Sequence, residues 1–119
     1  MRLTAVTVLV SALALVGAAA ARTAGLIQLT GTVGPGFTIT LKNHGKAVKS
    51  LSPGRYSFLI FDRSKIHNFH LTGPGVNKKT SVARTGKTRW ILQLRPGTYR
   101  YVCDPHKTLM HGKFVVAAP

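Results

Sequence analysis

The sequence predicts an all-β domain, a sandwich or barrel of about eight short strands. Beyond residue 25 no stretch keeps helical apolar spacing for three turns, whereas short alternating runs of β-branched and aromatic residues recur. Gly and Pro separate these runs and suit tight turns, because Pro fixes one backbone angle and Gly accepts a positive one. With 119 residues, the chain is long enough for one domain.

Residues 1–24 have the pattern of an export signal. Arg2 precedes an uncharged apolar stretch that runs from Leu3 to Ala21, and small residues lead up to Arg22. We therefore expect cleavage near residues 20–24, a folded domain over residues 25–119, and a location in the periplasm, outside the cell or at the cell surface. The alternative is an uncleaved membrane anchor, because the stretch approaches the length that spans a bilayer.

Eight strands are predicted between the turn signals. They cover residues 26–33, 37–42, 55–61, 66–71, 80–83 (a weak strand), 87–94, 98–103 and 113–116. The pattern Leu-x-Pro-Gly-x-Tyr occurs at residues 51–56 and again at residues 94–99. We interpret it as two equivalent corners at one end of the sandwich, where each Tyr packs and hydrogen-bonds. His67 and Cys103 are then expected at the other end.

The charge of the chain is strongly positive. Seventeen Lys and Arg stand against two acids, Asp62 and Asp104, and the net charge is +15. Such a charge predicts fast encounter with an acidic partner. The alternatives are that it maintains solubility or holds the protein near an anionic membrane or cell-wall polymer. A nucleic-acid partner is not expected, because the chain is exported and because Trp90, Tyr56 and Phe69 fall at positions suited to the core.

The single cysteine, Cys103, limits the chemistry. It excludes an intramolecular disulfide, a zinc site with several cysteines, a two-thiol redox pair and a dinuclear copper centre with two thiolates. His106 and Met110 follow it, so that a thiolate, an imidazole and a thioether fall within eight residues on one loop. These soft donors suit copper, and two His, one Cys and a distant Met form the blue-copper arrangement. A second His must therefore come from elsewhere.

The candidates for the second histidine are His44, His67, His70 and His111. In a strand over residues 66–71, alternation puts His67 on the apolar face with Phe69, whereas His70 lies on the opposite face. We therefore expect His67 to point inward, with His70 as the alternative ligand or as part of a site for a second ion. The simplest interpretation of His44 is a turn residue, and His111 is expected to point away from the Met beside it.

These motifs together resemble one family, the cupredoxins, which are small blue copper proteins of the plastocyanin and pseudoazurin type. The residues that carry the resemblance are His67, Asn68, Cys103, Pro105, His106, Met110 and Gly112. The similarity covers most of residues 26–116 and implies a Greek-key β-sandwich that binds one copper ion. It implies four ligands, which are His67, Cys103, His106 and Met110. It also implies that Asn68 ties the two ligand-bearing segments together, with Pro105 beside it.

The resemblance implies an electron carrier rather than an enzyme, because a site of two histidines and one cysteine with a weak thioether accommodates both Cu(I) and Cu(II). It implies contact with a redox partner protein through His106, with a rim formed by Gly34, Pro35, Pro105 and Leu109. We expect the protein to be a monomer. The alternative is a copper-binding protein for storage, delivery or sensing. A Cys-His hydrolase would need an orienting partner and an oxyanion arrangement, which this loop does not offer.

Overall fold

The structure is a computed structural model that describes residues 25–119. The predicted export signal or membrane anchor over residues 1–24 lies outside the described residues. No helix within residues 25–119 is long and apolar enough to cross a membrane. This part of the chain is almost entirely β-structure, with one short 3-10 helix at residues 104–106.

Ten strands of two to nine residues make up the fold. They are β1 (Ile27–Val33), β2 (Ile39–Asn43), β3 (Lys46–Ala47), β4 (Ser50–Leu51), β5 (Gly54–Asp62), β6 (His70–Gly73), β7 (Val76–Lys79), β8 (Gly86–Leu94), β9 (Gly97–Val102) and β10 (His111–Val116). One sheet has the order β3-β2-β1-β5-β8 and the other the order β4-β10-β9-β6-β7. Each contains one parallel pair, β1 with β5 and β4 with β10, and the class is the predicted β-sandwich.

Side chains that alternate along the strands fill the core between the sheets. In β5 the buried residues include Tyr56 and Phe58, and in the other sheet β9 buries Tyr99 and Tyr101. Burial of each large apolar side chain contributes about 1.5–3 kcal/mol. Cys103 follows Tyr101 by two residues and is fully buried. Its thiol therefore points into the core on the same side as the side chains of Tyr99 and Tyr101.

The repeated Leu-x-Pro-Gly-x-Tyr pattern forms two equivalent corners, as predicted. The hydroxyl of Tyr56 donates to the carbonyl of Ser52 over 2.7 Å, and that of Tyr99 donates to the carbonyl of Arg95 over 3.1 Å. Each bond reaches four residues back along the chain, as in a tyrosine corner.

Both corners lie at the same end of the sandwich. Gly54 at the start of β5 pairs with Leu94 at the end of β8, and β9 begins at Gly97. Strands β5 and β9 therefore run from this end towards the opposite one, where β5 ends at Asp62 and Cys103 follows β9. The loops beyond these two strands carry the predicted copper ligands.

The predicted strand over residues 66–71 is wrong for most of its length. Strand β6 begins only at His70, and residues 63–69 form a loop. Residues 67–69 are all buried, so that this segment lacks the alternating burial on which the prediction relied. The main-chain N–H groups of residues 68 and 69 donate to side chains, those of Cys103 and Thr80, and not to a neighbouring strand.

The weak strand over residues 80–83 is also wrong. Strand β7 lies earlier, and it pairs with β6 across a two-residue turn at residues 74–75. Thr80 instead bridges two loops, because its N–H donates to the carbonyl of Phe69 and its hydroxyl donates to Asp62.

Most other strand boundaries differ from the prediction by one or two residues. The largest of these differences, two residues, are at the start of β2, which begins at Ile39 and not at residue 37, and at the start of β10, which begins at His111 and not at residue 113. The two-residue strands β3 and β4 were not predicted, since pairs this short show no alternation.

Candidate metal centre

Three side chains each bring one metal-binding atom to a single point between two loops. Nδ1 of His67 lies 3.1 Å from Nδ1 of His106, and both nitrogens lie 3.6 Å from Sγ of Cys103. Within residues 25–119 this is the one group of three or more His, Cys or acidic side chains arranged to hold a metal ion. It combines three of the four predicted ligands.

The size of this triangle fits a first-row metal ion. A point equidistant from the corners of a triangle with these edges lies about 2.0 Å from each atom, close to the bond lengths of about 2.0–2.3 Å that imidazole nitrogen and thiolate sulfur make to zinc. A donor set of two imidazoles and one thiolate suits copper. The residues present therefore fit the copper ion that the sequence predicts.

Main-chain hydrogen bonds shape the loop that carries Cys103 and His106. The N–H of His106 donates to the carbonyl of Cys103 over 3.0 Å, which closes the 3-10 helix, and Pro105 at its start has no N–H to leave unpaired. The N–H of Met110 donates to the carbonyl of His106, and the N–H of Cys103 donates to that of Met110. The loop thus returns Met110, the fourth predicted ligand, to the start of the turn, where it is buried.

The imidazole of His67 points inward, as predicted, but for a different reason. It lies in the loop between β5 and β6, and only 1% of its surface is exposed. The ring of Phe37 contacts it edge-on with 5.3 Å between ring centres, and contacts His106 at 5.0 Å. Gly34 lies behind it, because a Cβ there would come within 3.4 Å of the His67 ring. Packing from the β1–β2 loop places His67, where the prediction relied on strand alternation.

Asn68 makes the hydrogen bonds that the family resemblance implies between the two ligand-bearing segments. Its main-chain N–H donates to Sγ of Cys103 over 3.4 Å. Its side-chain oxygen accepts the N–H of Asp104, and its Nδ2 donates to the carboxylate of Asp104, both over 2.8 Å. Such ties hold ligands in one geometry and tune the metal.

His70, the alternative ligand, lies outside the cluster. Its Nδ1 donates to Asp104 over 2.8 Å, and its Nε2 lies 2.7 Å from Oδ1 of Asn77 in β7. Its side chain is 20% exposed, which agrees with the expected outward direction.

The other sequence candidates lie away from the cluster. His44 occupies a turn with a positive φ of 48°, as its interpretation as a turn residue requires. His111 is exposed at the start of β10. Neither belongs to the group of converging ligand atoms.

The two carboxylates near the centre have opposite pKa shifts. Burial raises the pKa of Asp62, although hydrogen bonds from Ser64 and Thr80 oppose the rise. Burial also acts to raise the pKa of Asp104, but hydrogen bonds from Asn68 and His70, with the positive charges of His70 and Lys107, outweigh it and leave the pKa lowered.

An exposed apolar rim lies beside the partly buried ring of His106, formed by one aromatic residue that contacts this ring and by two residues of the His106 loop. We define it as Phe37, Pro105 and Leu109, of which Phe37 is 55% and Leu109 69% exposed. Phe37 was not among the expected rim residues, because the prediction placed it in a strand over residues 37–42. The available signal was an aromatic residue directly after a Gly-Pro-Gly turn. Of the other expected rim residues, Pro35 is exposed and Gly34 is buried.

Comparisons with known proteins agree with this site. Residues 32–117 match the family described as copper binding proteins, plastocyanin/azurin family. The chain is similar to amicyanin-alpha of Methylorubrum extorquens, with 43% identity over 53 residues. That match covers 42% of this chain and 44% of amicyanin-alpha, so that the chain spans less than half the length of this relative.

Solved structures of rusticyanin share the fold. A crystal structure of a rusticyanin mutant at 1.5 Å has a TM-score of 0.56 and 23% identity, over 75% of this chain and 76% of that one. Rusticyanin from Thiobacillus ferrooxidans at 1.27 Å has a TM-score of 0.52 and 24% identity, over 75% of each chain.

The family match includes every residue of the candidate site, and the donor atoms converge as a copper ion requires. The protein binds copper, with His67, Cys103, His106 and Met110 positioned to form the site. The chain therefore belongs to the plastocyanin/azurin family of copper-binding proteins.

Proposed function

We propose that this protein is an exported carrier of single electrons, with residues 25–119 as the mature domain and His67, Cys103, His106 and Met110 as the copper ligands. The observation that carries the proposal is the triangle of Nδ1, Nδ1 and Sγ atoms. When bound, copper supplies one-electron exchange between Cu(I) and Cu(II). A site with two His, one Cys and a weak thioether suits both states.

The surroundings of the ligands support electron transfer because they resist rearrangement. Cys103 and Met110 are almost fully buried and joined by a main-chain hydrogen bond, and Asn68 fixes the sulfur from the other loop. Buried ligands keep water from the site, and fixed ligands move little when the charge changes. Rusticyanin, which shares the fold, has been solved in its reduced form and is described as a copper protein.

The apolar rim around His106 is the proposed contact surface for the redox partner. Its exposed side chains, Phe37 and Leu109, offer a small apolar patch, and the ring of Phe37 contacts the imidazole of His106 edge-on. Brief redox encounters use interfaces below about 1,200 Å² in total, which a patch of this kind suits. The protein acts as a monomer in this proposal.

The partner is proposed to be acidic, because a basic depression is lined in part by the residue that directly follows His106. Its lining residues are Arg100, Val102, Lys107, His111, Gly112 and Lys113, around a volume of about 460 Å³. Lys107 directly follows His106, and the exposed cations favour the approach of an anionic protein surface. Attachment to an anionic membrane or cell wall is the other outcome to test. A nucleic-acid partner is not proposed, since Trp90, Tyr56 and Phe69 are buried and offer no stacking surface.

Voltammetry of the copper-loaded protein tests the proposal. We expect a reversible one-electron wave and rapid oxidation of the Cu(I) protein by hexacyanoferrate(III) in stopped flow, with the metal retained. A storage or delivery protein would instead release copper to a competing chelator during the redox cycle. An irreversible wave with loss of the metal would overturn the electron-carrier assignment in favour of that alternative.

A further inference from the structure

The two carboxylates of this very basic chain both lie at the copper end of the sandwich. The chain has 17 Lys and Arg, but within residues 25–119 neither Asp62 nor Asp104 makes an ion pair with any of them. Asp62 accepts from Thr80, and Asp104 pairs with His70. Both acids therefore bond to the loops at the metal site and not to the basic surface.

Asp104 connects three elements through its two oxygens. Oδ2 accepts from Nδ2 of Asn68 over 2.8 Å, and Oδ1 accepts from Nδ1 of His70 over 2.8 Å. The far nitrogen of His70 lies 2.7 Å from Oδ1 of Asn77 on β7. The carboxylate is thus held from the loop between β5 and β6 on one side and from the β6–β7 hairpin on the other.

Asn68 carries this restraint to the metal ligand. Asp104 binds both ends of the Asn68 side-chain amide, because its carboxylate accepts from Nδ2 and its main-chain N–H donates to Oδ1 over 2.8 Å. The main-chain N–H of Asn68 then donates to Sγ of Cys103 over 3.4 Å. The two bonds to Asp104, with a third from Nδ2 to the carbonyl of Thr80 over 3.3 Å, anchor the Asn68 side chain. A fixed side chain restrains the main chain of the same residue, whose N–H points at the sulfur.

We propose that Asp104 and His70 are positioning residues that keep the N–H of Asn68 directed at the sulfur of Cys103 and so set the reduction potential. The proposal rests on the copper ligands proposed above. Hydrogen bonding around the cysteine sulfur tunes the potential of such sites. The sulfur carries more negative charge in the Cu(I) state, so that N–H donation stabilises the reduced form and raises the potential.

The test compares His70→Ala with His111→Ala in the copper-loaded protein. The control is matched, because His70 and His111 pair with Val102 from opposite sides in the same sheet, and His111 lies outside the Asp104 network. Two properties are measured: the reduction potential, and the hydrogen-exchange rate of the Asn68 amide in the Cu(I) protein by NMR.

We expect His70→Ala to lower the potential and to speed exchange of the Asn68 amide by about tenfold or more, the effect of weakening one hydrogen bond to a charged group. His111→Ala should leave the amide exchange unchanged. Asn77→Ala, which removes only the outer support of His70, should shift both properties in the same direction by less. Asp104→Ala combined with His70→Ala should match Asp104→Ala alone, because both act through Asn68.

Equal potentials and equal amide exchange in His70→Ala and His111→Ala would overturn the positioning role, and so would additive effects in the double variant. Failure of the proposed function gives a different result from failure of this positioning role, because the unmodified protein would then lack a reversible voltammetric wave. If His70→Ala fails to fold, Asn77→Ala replaces it in the comparison: a lower potential with faster Asn68 amide exchange supports the positioning role, and values equal to those of His111→Ala overturn it.

Discussion

The main-chain N–H of Asn68 donates to the sulfur of Cys103 over 3.4 Å, and it joins the loop after β5 to the end of β9. The two residues lie 35 positions apart in the sequence. Together with the Asn68–Asp104 bonds, this contact holds the two ligand-bearing loops through the protein's own polar groups. The geometry of the copper site is therefore a property of the folded sandwich, and the predictions below test the fold and the site separately.

The two tyrosine corners should contribute unequally to stability. Tyr99 is fully buried, and its hydroxyl accepts the N–H of Arg95 and donates to a carbonyl, whereas the hydroxyl of Tyr56 makes one bond to Ser52. We expect Tyr99→Phe to lower the free energy of unfolding by about 1–3 kcal/mol and Tyr56→Phe by about 0.5–1.5 kcal/mol. Urea unfolding measures both, and a larger loss for Tyr56→Phe would contradict the hydrogen-bond account.

Loss of His67 should remove the blue colour, while loss of His70 should not. The Nδ1 of His67 lies in the donor triangle, whereas that of His70 is bound to Asp104. Visible absorption of copper-loaded His67→Ala and His70→Ala makes the comparison. If His70→Ala loses the intense band and His67→Ala keeps it, the ligand role passes to His70.

Electron exchange with an anionic reagent should slow steeply as salt rises. The surface cations act over distances that ions screen, with a Debye length of about 10 Å at 0.1 M. Exchange with a neutral reagent should hardly change, because the ligands are buried. Stopped-flow rates with hexacyanoferrate(III) and with a neutral oxidant provide the test.

Reversal of one charge should locate the steering surface. Lys107→Glu should slow hexacyanoferrate(III) through the association rate and leave the spectrum unchanged, because Lys107 borders the basic depression beside His106. Lys46→Glu is the matched control, since Lys46 is exposed on the edge strand β3 of the other sheet. Equal rates in both variants and no salt effect would favour attachment to an anionic envelope.

The pH dependence of stability should reveal the burial of Asp62. Burial raises its folded-state pKa, so the group contributes stability below its unfolded pKa of about 3.9 and loses that contribution as pH rises through the folded value. The free energy of unfolding of the unmodified protein should therefore fall relative to that of Asp62→Asn as pH rises across this window. Urea unfolding of both proteins without copper measures the difference, and an increase with pH would contradict the assigned shift.

The local part of this architecture could be predicted from the sequence. Tyr99, Tyr101 and Cys103 alternate along one strand, and the short spacing to His106 and Met110 makes a single loop. The two Tyr corners repeat a visible pattern. Such features depend on neighbours within a few residues, and for this reason the sandwich class and the ligand loop agree with the prediction.

The remaining features depend on contacts between distant segments. No local sequence pattern predicts the contact of Phe37 with His67, or the bond of His70 to Asp104, which is 34 residues away. The main-chain N–H groups of residues 68 and 69 likewise donate to side chains of distant segments, those of Cys103 and Thr80, and not to a neighbouring strand. The predicted strand is therefore wrong, although His67 points inward. A period-two pattern in a segment this short cannot distinguish a strand from a loop held by side chains.

Addition of Cu(II) to the purified protein and to Cys103→Ser tests the central claim most directly. Serine fills nearly the same volume as cysteine but cannot provide the soft thiolate that gives the site its character. The account predicts that the unmodified protein takes up one copper ion per chain and becomes intensely blue. Cys103→Ser should keep the β-sandwich, as judged by circular dichroism, and stay without the blue band. A blue Cys103→Ser protein, or an unmodified protein that binds Cu(II) without colour, would contradict the account.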